Sequence, residues 1–333
     1  MDNTTSNLVK ISELLSDGQY HDGTSIGKKC GITRAAVWKV IKKFKEYGIE
    51  IQSIKGKGYL LEKPLILLDV NKIKKNIKKL SFVIDVLEKV GSTNDYLKNN
   101  SDQNKAIKIC VAEMQDKGRG SLNRQWHSPF GQNIYFSCAY SFQRDMSELS
   151  GLSLITGLAV CNAIESITHL DNLAVKWPND ILVNQQKIAG ILIDINAESN
   201  GFCNAIIGIG INVNMQNALK KEIDQPWSSL QKITGQYIDR NLLCSALINA
   251  LINYLERFLK SGLSDFISEW KEKDCLFEKS VAVMSGQKKM MGIGAGINAQ
   301  GHLILKMSDN TEKTFSSGDT QIEKSNLNAA KVE

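Results

Sequence analysis

Hydrophobic residues recur at helical spacing through the first fifty positions of the chain, and turn residues separate the segments. The spacing predicts a first helix over 8–15 and a second over about 24–30, which ends at Gly31. Thr33 offers a hydroxyl to cap a third helix over about 34–47. That helix places four apolar residues on one face, which we expect to pack against the core: Val37, Ile41, Phe44 and Tyr47.

Two short extended segments follow at 49–52 and 59–61, and the basic, glycine-rich stretch 54–58 joins them. This pattern predicts a hairpin. Three helices followed by a basic hairpin are typical of a winged helix-turn-helix, in which the third helix enters the major groove of DNA and the hairpin lies along phosphates. An ordinary basic three-helix domain with a solvated face would show the same pattern.

The exposed face of the third helix is expected to turn five basic residues toward solvent: Arg34, Lys39, Lys42, Lys43 and Lys45. The start of this helix and the tip of the hairpin supply the residues that we expect to contact DNA: Thr33, Arg34, Ala35, Lys39, Lys55 and Lys57.

The pattern changes after Pro64. From Asp69 onward, Ile73, Ile77 and Leu80 share one helical face and lysines occupy the rest. Amphipathic helices on membrane surfaces can look like this, but the apolar stripe here is thin and lacks Trp and Phe. We therefore expect this helix to pack on the next domain.

Short β-rich runs alternate with helical stretches from residue 81 to about 270. Strands are predicted at 107–112, 133–139, 174–177, 187–194 and 205–213, and helices near 146–168 and 241–260. After Cys275, glycine turns separate four short strands that predict a small β-barrel, at 280–284, 290–295, 302–307 and 314–317. We expect an α+β protein with domains at 1–63, 64–273 and 274–325 and a tail at 326–333.

The charge is distributed unevenly along the chain. The 333 residues carry 41 basic and 35 acidic side chains, for a net charge of +6. Residues 1–80 contribute +8 and the remainder −2. This asymmetry favours a nucleic-acid-binding module ahead of a nearly neutral body, although a basic solubilising tail would give the same sum.

The seven cysteines never approach a C-x-x-C spacing, and buried thiols in a reducing compartment are the expected state. The first residues lack the organisation of a signal peptide, and no apolar run reaches the roughly 18 residues that cross a bilayer. We expect a cytoplasmic protein that does not span a membrane. Phosphate-binding G-x-x-x-x-G-K-[ST], H-E-x-x-H and G-x-G-x-x-G motifs are all missing from the sequence.

Four segments of the central domain carry candidate chemistry. Residues 91–94 (GSTN) put hydrogen-bonding side chains between a probable strand and a probable helix, and a plain helix cap would explain them equally well. The loop 115–126 combines glycines, cationic side chains and Trp126, which suits an anion beside a flat heterocycle but also describes a mobile surface loop. The remaining two segments are 176–192, with KWPND and KIAGIL, and 208–213, with GIGINV.

Each of the last two segments suggests a ligand contact. In the first, lysines and Asp180 could hold a phosphoryl group and Mg²⁺, because this ion usually takes one or two protein carboxylates plus substrate oxygens. In the second, glycines would let a ligand approach the strand closely, and Asn212 could hydrogen-bond the edge of a base.

Taken together and in this order, these segments resemble the bacterial family of bifunctional biotin protein ligases and biotin operon repressors. The resemblance extends to the helix-turn-helix stretch 31–39, the wing 56–59 and the C-terminal strands, and so covers nearly the whole chain. It implies a winged helix-turn-helix, a central mixed α/β catalytic domain like that of class II synthetases and an SH3-like C-terminal β-barrel.

The resemblance also implies an activity. The enzyme would form biotinyl-5'-AMP from biotin and ATP with Mg²⁺, and transfer biotin to a lysine of the biotin carboxyl carrier protein of acetyl-CoA carboxylase. Loaded with biotinyl-AMP, it would form a homodimer on the biotin operator DNA and repress the biotin biosynthesis operon.

Residue roles follow from the same resemblance. The residues implied to bind biotin are Ser92, Thr93, Asn94 and Gln115 at the ureido ring, and Arg119, Gly120, Ser121 and Lys187 at the carboxylate end. Those implied to bind ATP or the adenylate are Arg119, Arg124, Trp126, Lys176, Asn179, Asn212 and Trp227. Arg119 and Lys187 are the implied catalytic residues, and Asp180 is the implied Mg²⁺ ligand.

The chain departs from the family in the loop 115–126. Where relatives commonly continue with Arg and then Gly, this sequence has Ser121 and Asn123. Two other functions share some of these features: a winged-helix repressor with a biotin-sensing domain that is not catalytic, and a lipoate or octanoate ligase of related fold. A sensor has no need of Lys187 or the Gly-Arg-Gly loop, and lipoate ligases seldom carry a winged helix.

Overall fold

The computed structural model describes residues 6–78, 82–100, 107–197, 203–218, 223, 225–286 and 288–323 of the chain. The predicted tail at 326–333 and Leu80 lie outside the described residues.

The N-terminal segment forms the predicted winged helix-turn-helix. Its elements are α1 (Asn7–Leu15), α2 (Gly23–Cys30), α3 (Arg34–Glu46) and an antiparallel hairpin of β1 (Ile51–Ile54) and β2 (Gly58–Leu61). The Thr33 hydroxyl accepts a hydrogen bond from the backbone N–H of Ala36 at 3.2 Å, as predicted for a helix cap. Three of the four predicted core residues are buried, and Tyr47 instead ends the helix at its C-cap.

One lysine of the third helix has a partner in the next domain. The side chain of Lys43 is 42% exposed, and its ammonium pairs with the Glu88 carboxylate at 2.5 Å. Tyr47 also donates a hydrogen bond to Glu88, and its ring stacks on Phe130. The C-terminal end of α3 is therefore an interdomain contact.

The central domain is a seven-stranded sheet with helices packed against it. Its strands are β3 (Phe82–Leu87), β4 (Ile107–Ala112), β5 (Ile134–Phe142), β6 (Leu173–Lys176), β7 (Asp180–Val183), β8 (Gln186–Ala197) and β9 (Cys203–Ile211). They lie in the order β3-β4-β5-β9-β8-β7-β6, parallel only between β3 and β4. The helices are α4 (Val70–Lys75), α5 (Thr93–Asn100), α6 (Leu152–Glu165), α7 (Leu230–Thr234), α8 (Arg240–Ser261) and α9 (Ile267–Lys273).

The helix α4 packs on the central domain, as predicted from its thin apolar stripe. Ile73 and Ile77 are buried, and the hydroxyl of Ser245 on α8 donates to the Ile73 carbonyl at 2.7 Å. The lysines of α4 remain exposed.

Two helical stretches have the length and mean hydropathy of a membrane span, although neither is the continuous apolar run that the sequence analysis looked for. They are Met146–Glu165 and Arg240–Ser261, and 67% and 61% of their most apolar windows are buried inside the protein. The helices α6 and α8 pack against one another and contribute to the core over the sheet. Burial in this core accounts for their apolar composition.

The C-terminal segment is a five-stranded antiparallel sheet. Its strands are β10 (Ser280–Ser285), β11 (Lys288–Ile297), β12 (Leu303–Lys306), β13 (Glu312–Phe315) and β14 (Asp319–Ile322), in the order β13-β12-β11-β10-β14. The sequence pattern missed β14. Val281, Leu303 and Phe315 belong to the same hydrophobic cluster as the central sheet, so this sheet shares its core with the central domain.

A buried ion pair fixes the connection between the first two domains. Arg240 of α8 and Glu113 are fully or almost fully buried, with 2.6 Å between Nη1 and Oε2. Arg240 also donates to the carbonyl of Ile66 at 2.9 Å, and Glu113 accepts from the backbone of Leu68. Because both carbonyl and amide belong to the interdomain linker, this pair sets where the linker runs.

Candidate functional site

Two neighbouring cavities lie over β8 and β9, and the loop 115–126 forms one wall of each. Both cavities open to solvent, and each has an accessible interior volume of about 50 Å³. Trp126 and Lys187 line both cavities. A ligand that bridged the two would therefore pass beside these two side chains.

The first cavity collects all eight residues that the resemblance implied for biotin: Ser92, Thr93, Asn94, Gln115, Arg119, Gly120, Ser121 and Lys187. They come from four places in the sequence, 92–94, 115, 119–121 and 187, that the sheet brings together. Asn179 and Asp180 also line this cavity. Sequence reasoning had assigned Asn179 to the nucleotide; its side-chain amide donates to the carbonyl of Ile191 at 2.8 Å.

The second cavity collects four of the residues expected to bind the nucleotide: Arg124, Trp126, Asn212 and Trp227. Lys176 lines neither cavity within the described part of the chain, and its role stays a prediction. His127 lines the second cavity and was not singled out from the sequence.

Strand pairing fixes the edge of the second cavity. The backbone of Lys187 bonds on one side to Pro226 and on the other to Ser228, at 3.0 Å each, so the segment carrying Trp227 lies along the start of β8. The amide of Asn212 donates to the Ser228 carbonyl at 3.1 Å. The Lys232 ammonium lies 4.3 Å from the centroid of the Trp227 ring.

A hydrogen-bonded network of buried side chains forms one end of the first cavity. The Gln115 Oε1 atom accepts from the Thr93 backbone at 2.9 Å and lies 3.2 Å from the Thr93 hydroxyl. Its Nε2 atom donates to Ser128 at 3.2 Å. The Ser137 hydroxyl lies 2.7 Å from that of Thr93 and 2.6 Å from the Asn94 Oδ1. Such a set can both donate to and accept from a cyclic urea.

Sequence reasoning missed Ser137 and Ser128, although both complete this network. Ser137 lies in the middle of β5 within an apolar run, and Ser128 follows the loop. A polar residue at a fully buried strand position, such as Ser137, is the signal that could have identified it.

The glycines of β8 and β9 make room for the site's own side chains. A Cβ atom on Gly208 would lie 2.3 Å from the Asn94 Oδ1, and one on Gly210 would lie 2.5 Å from the Trp126 ring. The sequence analysis expected these glycines to admit a ligand. They instead admit Asn94 and Trp126, which then present their other faces to the cavities.

The loop 115–126 folds back on itself. The backbone N–H of Gly120 donates to the Arg124 carbonyl at 2.7 Å, and that of Trp126 donates to the Gly118 carbonyl at 2.9 Å. At its tip Asn123 has φ +58°, a left-handed conformation that Asn adopts more readily than most residues. The exchange of the family's Gly for Asn123 is therefore compatible with this turn.

Carboxylates already neutralise the candidate cations. Lys187 Nζ lies 2.6 Å from Asp180 Oδ1, and both side chains are about 15% exposed. Arg119 Nη2 lies 2.8 Å from Asp95 Oδ1 and 2.9 Å from Asp194 Oδ2. Two cations thus face three carboxylates, and the site by itself has no excess positive charge.

The indole of Trp126 occupies the junction between the cavities. Its ring lies under the Lys187 ammonium, 5.4 Å from centroid to Nζ. Its buried Nε1 lacks a hydrogen-bond partner among the described residues. An unsatisfied buried donor costs about 1–3 kcal/mol, so an acceptor on a ligand at this junction would relieve the cost.

The donor set at Asp180 fits a metal ion that arrives with its own oxygen ligands. Within the described residues, no group of three or more His, Cys, Asp or Glu side chains comes together to hold a metal. Asp180 supplies a single carboxylate, already paired with Lys187. Mg²⁺ commonly binds through one carboxylate together with substrate phosphates.

The candidate DNA-contacting residues are presented outward together. All six expected residues of α3 and the hairpin tip are exposed: Thr33, Arg34, Ala35, Lys39, Lys55 and Lys57. Trp38, which is 56% exposed beside them on α3, is a large apolar residue on the same surface that was not assigned a role. Exposed Trp in a basic surface is suited to stack or pack on a partner.

Known proteins match both the winged helix-turn-helix and the central domain of this chain. The biotin/lipoate A/B protein ligase family model matches residues 86–212, and a helix-turn-helix domain model matches 7–60. The bifunctional ligase/repressor BirA of Salmonella typhimurium is 35% identical over 97% of this chain and 99% of its own length. That of Escherichia coli K12 is 33% identical over 96% and 98%.

A solved structure also matches most of the chain. The biotin protein ligase from Aquifex aeolicus in complex with biotin and ATP is 28% identical, with a TM-score of 0.62. The match covers 72% of this chain and 99% of that one.

Proposed function

Because this chain belongs to the family of bifunctional biotin ligases and repressors, we propose that its two cavities bind biotin and ATP and join them as biotinyl-AMP. The biotin is then transferred to a lysine of a carrier protein, the biotin carboxyl carrier protein of acetyl-CoA carboxylase. Loaded with the adenylate, the winged helix-turn-helix represses transcription from the biotin operator.

One observation carries this proposal. The eight residues implied for biotin line one cavity, four implied for the nucleotide line its neighbour, and Lys187 lies at the junction of the two. In adenylation the carboxylate of biotin attacks the α-phosphate of ATP and the bond to the β-phosphate breaks, which releases pyrophosphate, so the two ligands must meet at a junction of this kind.

The buried network around Asn94, Thr93 and Gln115 binds the ureido ring. Its hydroxyl and amide groups are held in place by Ser137 and Ser128, so they need little reorganisation when the ligand enters. The carboxylate tail then points along the loop toward Lys187.

Lys187 offsets the repulsion between the two reacting anions. Asp180 holds its ammonium at the junction, and the ammonium donates to the oxygens on which charge accumulates during the attack. No protein nucleophile is needed. In the second step the neutral amine of the carrier lysine attacks the mixed anhydride, and AMP leaves with the bonding electron pair.

Mg²⁺ would enter with the phosphates of ATP, and Asp180 would be its protein ligand. When bound, the ion supplies positive charge that stabilises the phosphate oxygens. That charge matters here because three carboxylates outnumber the two cations of the site.

The nucleotide lies in the second cavity. Trp227 packs on the adenine ring, Asn212 contacts the edge of the base, and Arg124 and Trp126 lie on the phosphate side. Water must be kept from the anhydride until the carrier arrives, and the loop 115–126 is the element placed to exclude it.

The remaining expectations complete the proposal. The protein acts in the cytoplasm, its C-terminal sheet is the SH3-like barrel of the family, and the adenylate-loaded form is a homodimer on DNA. Thr33, Arg34, Ala35 and Lys39 reach the base edges, and Lys55 and Lys57 contact the backbone.

Pyrophosphate exchange tests the enzymatic part. The purified protein is given ATP, Mg²⁺ and either biotin, lipoate or no acid, followed by a carrier domain. We expect exchange and carrier labelling with biotin alone. Exchange with lipoate in place of biotin would identify a lipoate ligase, and binding of biotin without exchange would identify a sensor.

A salt titration tests the DNA-binding part. Binding of biotin operator DNA should tighten when biotin and ATP are supplied together, and unchanged affinity would contradict the corepressor role. Lys57→Gln should lower the slope of log affinity against log salt by about one, as expected when one phosphate contact is lost. Lys313→Gln on the exposed face of β13 is the matched control and should leave the slope unaltered.

A further inference from the structure

We propose that Asp194 is a positioning residue for the activation of biotin, an inference that rests on the function proposed above. Its carboxylate ties Arg119 of the loop 115–126 to the side-chain amide of Asn94. Asp194 therefore fixes the position of the loop, which covers the end of the first cavity where the carboxylate of biotin would lie, relative to the end where the ureido ring would bind.

A single oxygen makes both contacts. Asp194 Oδ2 lies 3.0 Å from Asn94 Nδ2 and 2.9 Å from Arg119 Nη2. The three residues belong to different elements, since Asn94 lies on α5, Asp194 on β8 and Arg119 on the loop. The carboxylate is thus the point at which helix, strand and loop are held together.

The bond to Asp194 decides how the Asn94 amide is turned. Asn94 Nδ2 donates to Asp194 and also to the Leu192 carbonyl, at 3.3 Å, so both amide protons are used on β8. Asn94 Oδ1 is thereby directed toward Ser137 and the open space above Gly208. Reversal of the amide would bring its NH₂ group against Gly208 and lose the two bonds to β8.

The negative charge of Asp194 also restrains the cationic side chain of Arg119. The Arg119 side chain is 43% exposed, and a flexible cation at that exposure samples many rotamers unless it is held. Asp95, which directly follows Asn94, holds the same Nη2 atom at 2.8 Å. Two carboxylates on neighbouring elements fix one end of the guanidinium, and its remaining N–H groups are left to face the cavity that Arg119 lines.

Asp194 itself is set back from the ligand. Leu192 and Arg119 line the first cavity and Asp194 does not. Any effect of Asp194 on the reaction must therefore pass through the residues that it holds, Asn94 and Arg119. No motif in the sequence indicates this role, because Asp194 is the last residue of the strand predicted at 187–194 and lies two residues beyond the segment KIAGIL.

A double-mutant cycle tests the proposal with the full-length protein. Asp194→Asn keeps the shape of the side chain and removes its charge, and Arg119→Gln removes the partner. For each variant and the double variant we would measure the KM for biotin in pyrophosphate exchange and the half-life of the purified complex with biotinyl-AMP. The control is Asp171→Asn, an 87% exposed carboxylate that lines neither cavity.

We expect Asp194→Asn to raise the KM for biotin and shorten the half-life of the adenylate, each by about tenfold, as for the loss of a charge-assisted hydrogen bond. In the Arg119→Gln background the same change should shorten the half-life less than twofold, because Asp194 then has no loop cation to hold. Asp194→Ser, carried through the same cycle, guards against a folding defect of a single variant.

An equal shortening of the adenylate half-life by Asp194→Asn in both backgrounds would overturn the proposal, because only an effect independent of Arg119 would be the same in its absence. So would an unchanged half-life and KM in Asp194→Asn. If the unmodified protein shows no biotin-dependent exchange, the proposed function itself is overturned. If the unmodified protein shows exchange and Asp194→Asn leaves it unaltered, only the role of Asp194 is overturned.

Discussion

The ring of Tyr47 stacks on the ring of Phe130, with centroids 4.2 Å apart and planes inclined by 14°. Tyr47 ends the helix that we expect to enter DNA, and Phe130 lies four residues beyond Trp126, which lines both ligand cavities. The hydroxyl of Tyr47 reaches Glu88, four residues before Ser92. The DNA-binding and ligand-binding parts of the chain are thus in direct contact through short segments.

The Tyr47–Phe130 stack should contribute measurably to stability. Phe130→Ala is expected to lower the free energy of unfolding by about 3–5 kcal/mol, because the ring is fully buried. Tyr47→Phe keeps the stack and loses only the hydrogen bond to Glu88, at a cost of about 1 kcal/mol. Urea denaturation measures both, and equal losses would contradict the stacking argument.

Gly208→Ala should abolish tight biotin binding. The added methyl carbon would lie 2.3 Å from Asn94 Oδ1, so Asn94 must move and the ring-binding network is broken. Overpacking of about 1–3 kcal/mol corresponds to a loss of affinity of about 5- to 150-fold. Calorimetric titration with biotin measures it. Gly91→Ala is the control, since its Cβ meets no atom within 4 Å.

Lys187→Gln should slow adenylation far more than it weakens binding. The ammonium is held at the junction by Asp180 and stabilises charge that develops only during the reaction, so kcat should fall by about 10²–10³. The kcat and the KM for ATP in pyrophosphate exchange separate the two effects. Lys313→Gln, on the exposed face of β13, is the control and should leave kcat unchanged; a comparable fall there would contradict the assignment of the effect to Lys187.

Glu113→Gln should destabilise the protein by about 3–5 kcal/mol. The change leaves the Arg240 guanidinium, which is fully buried, without its anionic partner. Glu323→Gln breaks the exposed pair with Lys289 at 2.8 Å and should cost less than about 1 kcal/mol. Urea unfolding of the two variants gives the comparison, and similar costs would show that burial of the first pair has no energetic consequence.

The buried thiols should be unreactive in the native protein. Burial raises the pKa of Cys138, Cys161, Cys244 and Cys275 to about 12, so at pH 8 these groups hold far less thiolate than a free cysteine. Alkylation by iodoacetamide should be slow at Cys138, Cys161 and Cys244, which are buried, until urea is added. Rapid native labelling of any of them, mapped by mass spectrometry, would contradict their burial.

The raised pKa values of these thiols also determine how stability changes at high pH. In the unfolded chain these thiols ionise near pH 9.0, while in the folded protein they keep their protons. The folded state therefore binds more protons above pH 9, and the free energy of unfolding must fall as the pH rises through that range. Replacing Cys244 by Ala should reduce this slope.

The sequence alone predicted most helices and strands and many of the residues that line the site. Thr33 caps its helix because its hydroxyl reaches an amide three residues along, and the strand β4 follows from an apolar run with the bounds predicted, 107–112. The eight biotin residues were named from motifs in the sequence and lie together. These features could be predicted without the tertiary structure, because they depend on contacts between neighbouring residues or on a family resemblance.

Contacts between distant segments were decided only by the tertiary structure. No local pattern links Asp194 to Arg119, or Lys43 to Glu88, because these pairs are joined through strand order and domain packing. The glycines of β9 were correctly identified as points of close approach, but what approaches is Asn94 and Trp126. A sequence fixes which groups are present and how each segment folds, whereas the folded chain alone determines which charges meet and are neutralised.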